Sequence, residues 1–273
     1  MTYVRSQDGI IGNNINYNHF LTNSGAQISS MYQSGTSSAH VMYQSNIGLL
    51  SDIKDFYGDV VFDISNKHHL GIQVYQHQLT SLFTRSKAYG IYAVSIPVSN
   101  NLTWCLGTNI GAANIFFGAT GASNGGSDWA FDLALSTSLN HKKWRVGIGL
   151  QQVTSPHLQP IIYQFQLKRY IEIIATRSLE LHPDWTYTGG LRVIYGPSTL
   201  LVHLDNYLKY KELGGLMVSF QGFAINRFSA GFEFFIPKVT GLGLTLGYQI
   251  TANTNRTNDR QIQIGINYCQ QTK

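Results

Sequence analysis

Charge is what this sequence has least of. Asp, Glu, Lys and Arg make up 12% of its 273 residues, where soluble domains carry roughly 25%. Long apolar runs are missing too: no uninterrupted stretch approaches the roughly 18 to 20 residues of a membrane-spanning helix. Cysteine is scarce, and Cys105 and Cys269 give neither a disulfide framework nor metal-ligand spacing. They read as two isolated small residues in strands, with a bridge between them left open until geometry decides it. The net charge is +5, yet Lys and Arg are scattered and form no run longer than Lys142-Lys143, which speaks against nucleic acid as a partner. No Gly-x-Ser-x-Gly elbow occurs, and no spacing singles out a Ser, His and Asp triad, so the chain reads as non-enzymatic. His69 and His77 share a strand face but stand about 26 Å apart at roughly 3.3 Å per residue, too far to hold one metal ion. No metal or other cofactor is implied. Asn101-Leu102-Thr103 matches a glycosylation sequon by chance.

What is there is aromatic, glycine-rich and alternating. Low charge without a spanning helix is the composition of an outer-membrane β-barrel, and 16 Tyr, 14 Phe and 27 Gly suit aromatic girdles and a lumen of small side chains. A soluble sandwich or secreted β protein is the competing class. The stretch Asp128 to Gln151 is the clearest case. Phe131, Leu133, Leu135, Thr137 and Leu139 fall on one face, opposite Ala130, Asp132, Ala134, Ser136 and Ser138. After a turn with Asn140, His141 and two lysines, Trp144, Val146, Ile148 and Leu150 oppose Arg145, Gly147, Gly149 and Gln151. Period-two alternation on both sides of a tight turn predicts an antiparallel hairpin, with the apolar face toward lipid and the bland face toward a lumen.

The same pattern runs along the chain. Residues 1–25 are rich in Asn, Ser and Gly and show no period, which predicts an N-terminal arm or plug-like segment. Strands are expected at Ala26 to Gln33, Ser38 to Gln44, Phe56 to Ile64, His69 to His77, Ser81 to Val98 and Leu102 to Phe117. Val153 to Pro160 has two prolines and should be a loop. Ile161 to Leu181 reads as one long tilted strand, with a helix as the minor alternative. Trp185 to Tyr195, Leu200 to Tyr210, Leu213 to Gln221, Arg227 to Ile236, Leu242 to Thr251 and Arg260 to Cys269 complete the set. The expectation is an all-β fold: a transmembrane antiparallel barrel of about fourteen strands, with short turns at one rim and longer loops at the other. No linker interrupts the strands, so residues 1–273 read as a single domain. An outer-membrane protein is expected to be made with a secretory signal, and Met1 to Gly12 has neither a charged n-region nor an apolar h-region. A start near a processed N-terminus, or a misassigned or engineered one, accounts for that.

Few ionisable groups fall on the inward parity: Asp132, Arg145, His203, Asp205, Lys209 and Glu233. Structurally they would pair across the lumen and close it, because isolated charges there need partners or water. Functionally they could line a diffusion pore.

Three places carry a family likeness. Gln7-Asp8 precedes Asn18-His19-Phe20-Leu21-Thr22-Asn23-Ser24-Gly25. Asn66-Lys67-His68-His69-Leu70-Gly71-Ile72 and Ser99 to Gly111 form a run of strand, short turn and glycine-rich strand. Leu213-Gly214-Gly215-Leu216, Phe223-Ala224-Ile225-Asn226 and Gly243 to Tyr248 look like closing strands. With these the sequence resembles, over nearly its full length, the PorP/SprF family of outer-membrane barrels associated with type IX secretion and gliding motility in Bacteroidota. His19 and Ser24 stand where the family has prolines, marking a divergent member. The resemblance implies a non-enzymatic barrel in the bacterial outer membrane, in contact with its lipid, that anchors or helps export a large adhesin-type surface protein. It implies recognition of that cargo through a C-terminal sorting domain, and links to periplasmic peptidoglycan-binding or motor components. A passive porin or small-solute channel is the alternative.

Overall fold

The computed structural model describes residues 36–47, 53–119, 124–161, 164–197, 199–223, 227–236, 241–251 and 260–271. The strands are β1 (Thr36–Ile47), β2 (Lys54–Asp63), β3 (His68–Thr80), β4 (Phe83–Ser99), β5 (Leu102–Phe117), β6 (Gly126–His141), β7 (Trp144–Gln151), β8 (His157–Leu158) and β9 (Phe165–Gln166). They continue as β10 (Tyr170–His182), β11 (Trp185–Gly196), β12 (Thr199–Tyr210), β13 (Gly214–Phe223), β14 (Arg227–Phe235), β15 (Leu242–Thr251) and β16 (Arg260–Gln271). All except β8 and β9 pair antiparallel with their neighbours in one sheet, and β1 closes it against β16 from Thr36↔Gln271 to Ile47↔Arg260. The result is a closed 14-strand barrel. Closure gives each wall strand a partner on both sides, the condition for strands to cross a bilayer.

Alternation decides what faces out. On β14, β15 and β16, Phe232, Leu246 and Ile264 lie in one cross-strand row and are half exposed. Between them Glu233, Thr245 and Gln263 are buried. The apolar side chains therefore form the lipid-facing surface, and the polar ones fill the interior, the inverse of a soluble domain.

The rim of tight turns holds residues 64–67, 100–101, 142–143, 183–184 and 211–213. Both barrel ends, Thr36 and Gln271, lie there, which makes it the periplasmic rim of a barrel of this kind. The opposite rim is uneven, because β6 pairs with β7 only between Leu135 and Asn140. Above that its edge is blunted locally. Asp128 and Asp132 accept from the N–H groups of Trp129 and Leu133 at 2.8 and 2.9 Å, Val153 N donates to Leu133 O at 2.8 Å, and Thr154 Oγ1 donates to Phe131 O at 3.0 Å. An edge covered in this way does not recruit further strands.

Two readings change. The expected long strand from Ile161 to Leu181 begins only at Tyr170. The chain before it turns into the barrel, where β8 and β9 form a two-residue ladder, His157↔Gln166 and Leu158↔Phe165. The expected loop Val153 to Pro160 is the first arm of that inward segment. Its apolar residues are core, with Leu158 and Leu167 buried against Phe83, Ala113 and Ile115 of the inner wall. The expected strand Ala26 to Gln33 and the arm 1–25 lie outside the described residues.

Candidate functional site in the lumen

The interior is polar by sequence parity and packed by geometry. Its side chains are organised around β2, β4, β6, β10 and β11. On β2, Asp55, Asp59 and Asp63 recur every fourth residue on the inner face, and each has a histidine directly across a ladder: His77, His40 and His69. Nδ1 of His77 lies 2.5 Å from Asp55, that of His40 lies 3.4 Å from Asp59, and His69 bonds Asp63. His69 also reaches Ser95 Oγ at 3.1 Å through its second ring nitrogen. His69 and His77 thus serve separate carboxylates. Among the described residues no three His, Cys, Asp or Glu side chains are gathered to hold a metal.

A second group crosses the middle of the lumen. Asp132, fully buried on β6, accepts from Tyr89 Oη at 2.5 Å and lies 3.7 Å from Lys87 Nζ, both on β4. On the facing strands, Arg192 Nε donates to Glu172 Oε1 at 2.6 Å and Gln151 Nε2 to Glu172 Oε2 at 3.3 Å. Gln152, with its amide turned to satisfy both neighbours, accepts from Lys87 Nζ at 2.9 Å and ties this layer to the inward segment. Above it sits the apolar cap: the Phe83 and Phe117 rings are 4.7 Å apart, those of Phe117 and Phe165 5.6 Å apart, and the Arg85 guanidinium covers Phe83 at 4.7 Å.

Glycine makes two of these contacts possible. Gly111 on β5 stands between Tyr89 and Asp132 in the same row, so the tyrosine crosses a bare strand to reach a carboxylate two strands away. Gly215 on β13 does the same for Tyr207 of β12, whose ring would lie 2.4 Å from any added Cβ and whose hydroxyl donates to Glu233 of β14 at 2.6 Å. A side chain at Gly215 would occupy the space the Tyr207 ring uses, and one at Gly111 would run into the Ala88 backbone beside Tyr89.

The six ionisable residues expected inside have the following surroundings. Asp132, His203, Asp205 and Glu233 are buried, and Arg145 is half-buried near the short-turn rim. Lys209 sits at that rim beside Glu212 at 3.0 Å. Asp205 accepts from Ser219, Glu233 from Tyr207 and Asn267, and His203 faces Arg192 and Gln221 across its two ladders. They do not pair with one another. Asp132, Asp205, Lys209 and Glu233 are partnered instead by Lys87, Tyr89, Ser219, Glu212, Tyr207 and Asn267, and the pair Glu172–Arg192 is an addition to the expected set. The available signal was the parity of β4, where Phe83, Arg85, Lys87 and Tyr89 share one face. It is masked because the opposite face there is Thr84, Ser86, Ala88 and Gly90, which does not look like a lipid face. Cys105 and Cys269 are both free thiols, and Cys105 accepts from Asn140 Nδ2 at 3.2 Å.

Residues 30–268 match the family described as type IX secretion system membrane protein PorP/SprF. The chain belongs to that family. Membership and the closed barrel place it in the outer membrane, as a membrane protein of the type IX secretion system, a context of secretion machinery and cargo. Among curated proteins no sequence matches it. Solved structures similar to this PorP/SprF chain are outer-membrane barrels. A Pseudomonas aeruginosa FadL homologue has TM-score 0.53 at 6% identity, covering 90% of this chain and 92% of its own. A TodX deletion mutant, a monoaromatic hydrocarbon channel, has TM-score 0.54 at 7% identity, with 89% and 92% covered. Acinetobacter baumannii Omp33 has TM-score 0.51 at 8% identity, with 86% and 99% covered. At these identities the likeness is one of fold.

Proposed function

We propose that this barrel is a non-enzymatic anchor or export aid for a large adhesin-type surface protein of the type IX secretion and gliding machinery, engaging that cargo through its C-terminal sorting domain. Periplasmic peptidoglycan-binding or motor components would meet the short-turn rim. The observation that carries the reading, beside the family, is the packed lumen. Asp132, Glu172, Arg192, Leu158 and Leu167 are all at most 5% exposed, where a porin keeps a water-filled channel. An interior spent on packing leaves the rims and the outer wall for partners. The six inward ionisable residues would then hold the wall in shape and line no solute path.

The test is affinity purification of the tagged barrel from outer membranes in a mild detergent. A large surface protein should copurify, and should be lost when its sorting domain is deleted. Recovery of the barrel alone under gentle conditions would sink the proposal. Planar-bilayer recording separates the porin alternative: an anchor should be nearly silent, whereas steady porin-like conductance would favour a channel.

A further inference from the structure

Among the described residues, a concave, apolar site on the outer wall lies close to the periplasmic rim. A groove of about 530 Å³ runs between Trp104, Thr137, Leu139, Val146, Ile148 and Ile173, within the roughly 300 to 1,000 Å³ of ligand clefts. It exists because small residues interrupt the lipid-facing rows. Thr137 stands between Leu106 and Ile148, held down by Trp104 Nε1 at 2.7 Å, and Ala175 stands opposite Val146.

Directly below, the surface turns cationic. Arg177 of β10 lies opposite Trp144 and on the outward parity, exposed between Ile173 above and Leu179 below. The next residue, Ser178, donates its N–H to Lys143 O at 2.8 Å, which brings the Lys142-Lys143 turn alongside. None of these three cations has a carboxylate within 4.0 Å among the described residues. Asp184, in the turn that follows β10, is engaged by Lys211 at 3.3 Å. Aromatic rings flank the site: Trp144, stacked on His141 at 5.4 Å, and Tyr187, which lies over Gly189, the residue opposite Arg177 on β11.

We infer that this is a binding site for one anionic glycerophospholipid of the periplasmic leaflet, with an acyl chain in the groove and the phosphate held by Arg177 and the Lys142-Lys143 turn. An arginine facing lipid costs about 2 to 4 kcal/mol at the bilayer midplane and about 0 to 1 near an interface. Its place beside two aromatics and two lysines fits the headgroup level, where Trp and Tyr gather. A guanidinium there is matched in charge and geometry by a phosphate. The groove ends where the cations begin, the layout of a lipid molecule.

The test is native mass spectrometry of the full chain, released from detergent after exchange into phosphatidylglycerol or phosphatidylcholine. Wild type should retain one phosphatidylglycerol in preference to phosphatidylcholine. The Arg177→Gln/Lys142→Gln/Lys143→Gln variant should lose that preference by roughly tenfold or more, given about 1 kcal/mol per basic residue near an anionic surface. Ile148→Trp, which fills the groove and keeps the cations, should reduce retention with unchanged circular dichroism. Equal retention of both lipids, or wild-type retention by the triple variant, would overturn the inference. So would inorganic phosphate alone raising the melting temperature as much as phosphatidylglycerol does, since the acyl chain would then contribute nothing.

Discussion

At the scale of single residues, the interior is specified by what is left out as much as by what is present. Gly111 and Gly215 each leave room for a tyrosine to cross a strand, but they differ in what an added Cβ meets. At Gly215 it meets the movable ring of Tyr207 at 2.4 Å, whereas at Gly111 it meets the backbone carbonyl of Ala88 at 1.9 Å. Gly215→Ala should therefore cost about 1 to 3 kcal/mol through overpacking, and Gly111→Ala clearly more, because the backbone must shift. The two urea midpoints in detergent give the order directly, and equal midpoints would contradict it. Arg192 and Glu172 make a second residue-scale case. Removing one partner of a buried pair leaves a charge without compensation, so Arg192→Met should destabilise by about 3 to 5 kcal/mol, while Arg192→Met/Glu172→Leu should recover a large part of that loss. Equilibrium unfolding of both variants checks the sign of the recovery.

At the scale of elements, the inward segment carries the largest departure from the alternation rule. Leu158 and Leu167 are among the most buried side chains although they sit in no wall strand. Leu158→Ala should cost about 2 to 5 kcal/mol, the range for a buried leucine. Because Pro156 O accepts from Leu167 N at 2.9 Å, residues 157–166 can be replaced by an Asn-Gly turn that closes the same ladder. That excision should leave the barrel folded and raise bilayer conductance above the intact protein's level. Conductance that stays unchanged would mean that the charge layer below blocks the lumen by itself. This segment also marks the limit of what the sequence could tell. An apolar residue every second position reads as a lipid face in Phe228 to Ile236 and in Ile262 to Tyr268, where each strand borders acyl chains along its length. Ile161 to Leu181 has the same composition, but its Phe165 and Leu167 pack against protein inside the barrel. Composition reports that a residue is out of water, and not which apolar medium it has entered. The pairs Lys87–Asp132 and Tyr89–Asp132 were illegible for a different reason: they join β4 to β6 across an intervening strand, so they need the registers of two successive hairpins at once, which turn geometry fixes and residue pattern alone does not.

At the scale of the whole molecule, the reading rests on a surface turned inside out, and that inversion can be measured by position. Leu246 lies opposite Phe232 on one side and Ile264 on the other, in the middle of an unbroken apolar row. Tyr268 lies opposite Leu242, two residues from the register's end at Gln270 and Gln271 on the short-turn rim. A cation on the lipid face of a barrel costs about 2 to 4 kcal/mol at the midplane and about 0 to 1 near an interface. Leu246→Arg should therefore lower folding stability in lipid vesicles by about 2 to 4 kcal/mol and Tyr268→Arg by less than about 1. Both should lose most of that difference in a water-soluble medium that wets the outer wall, because the penalty belongs to the bilayer and not to packing within the chain. A soluble β protein predicts no such dependence on the medium, since an exposed arginine there costs little anywhere. Equal penalties at the two positions in vesicles would mean that the apolar rows do not span the membrane, and would remove the basis for placing Arg177 and the Lys142-Lys143 turn at its periplasmic edge.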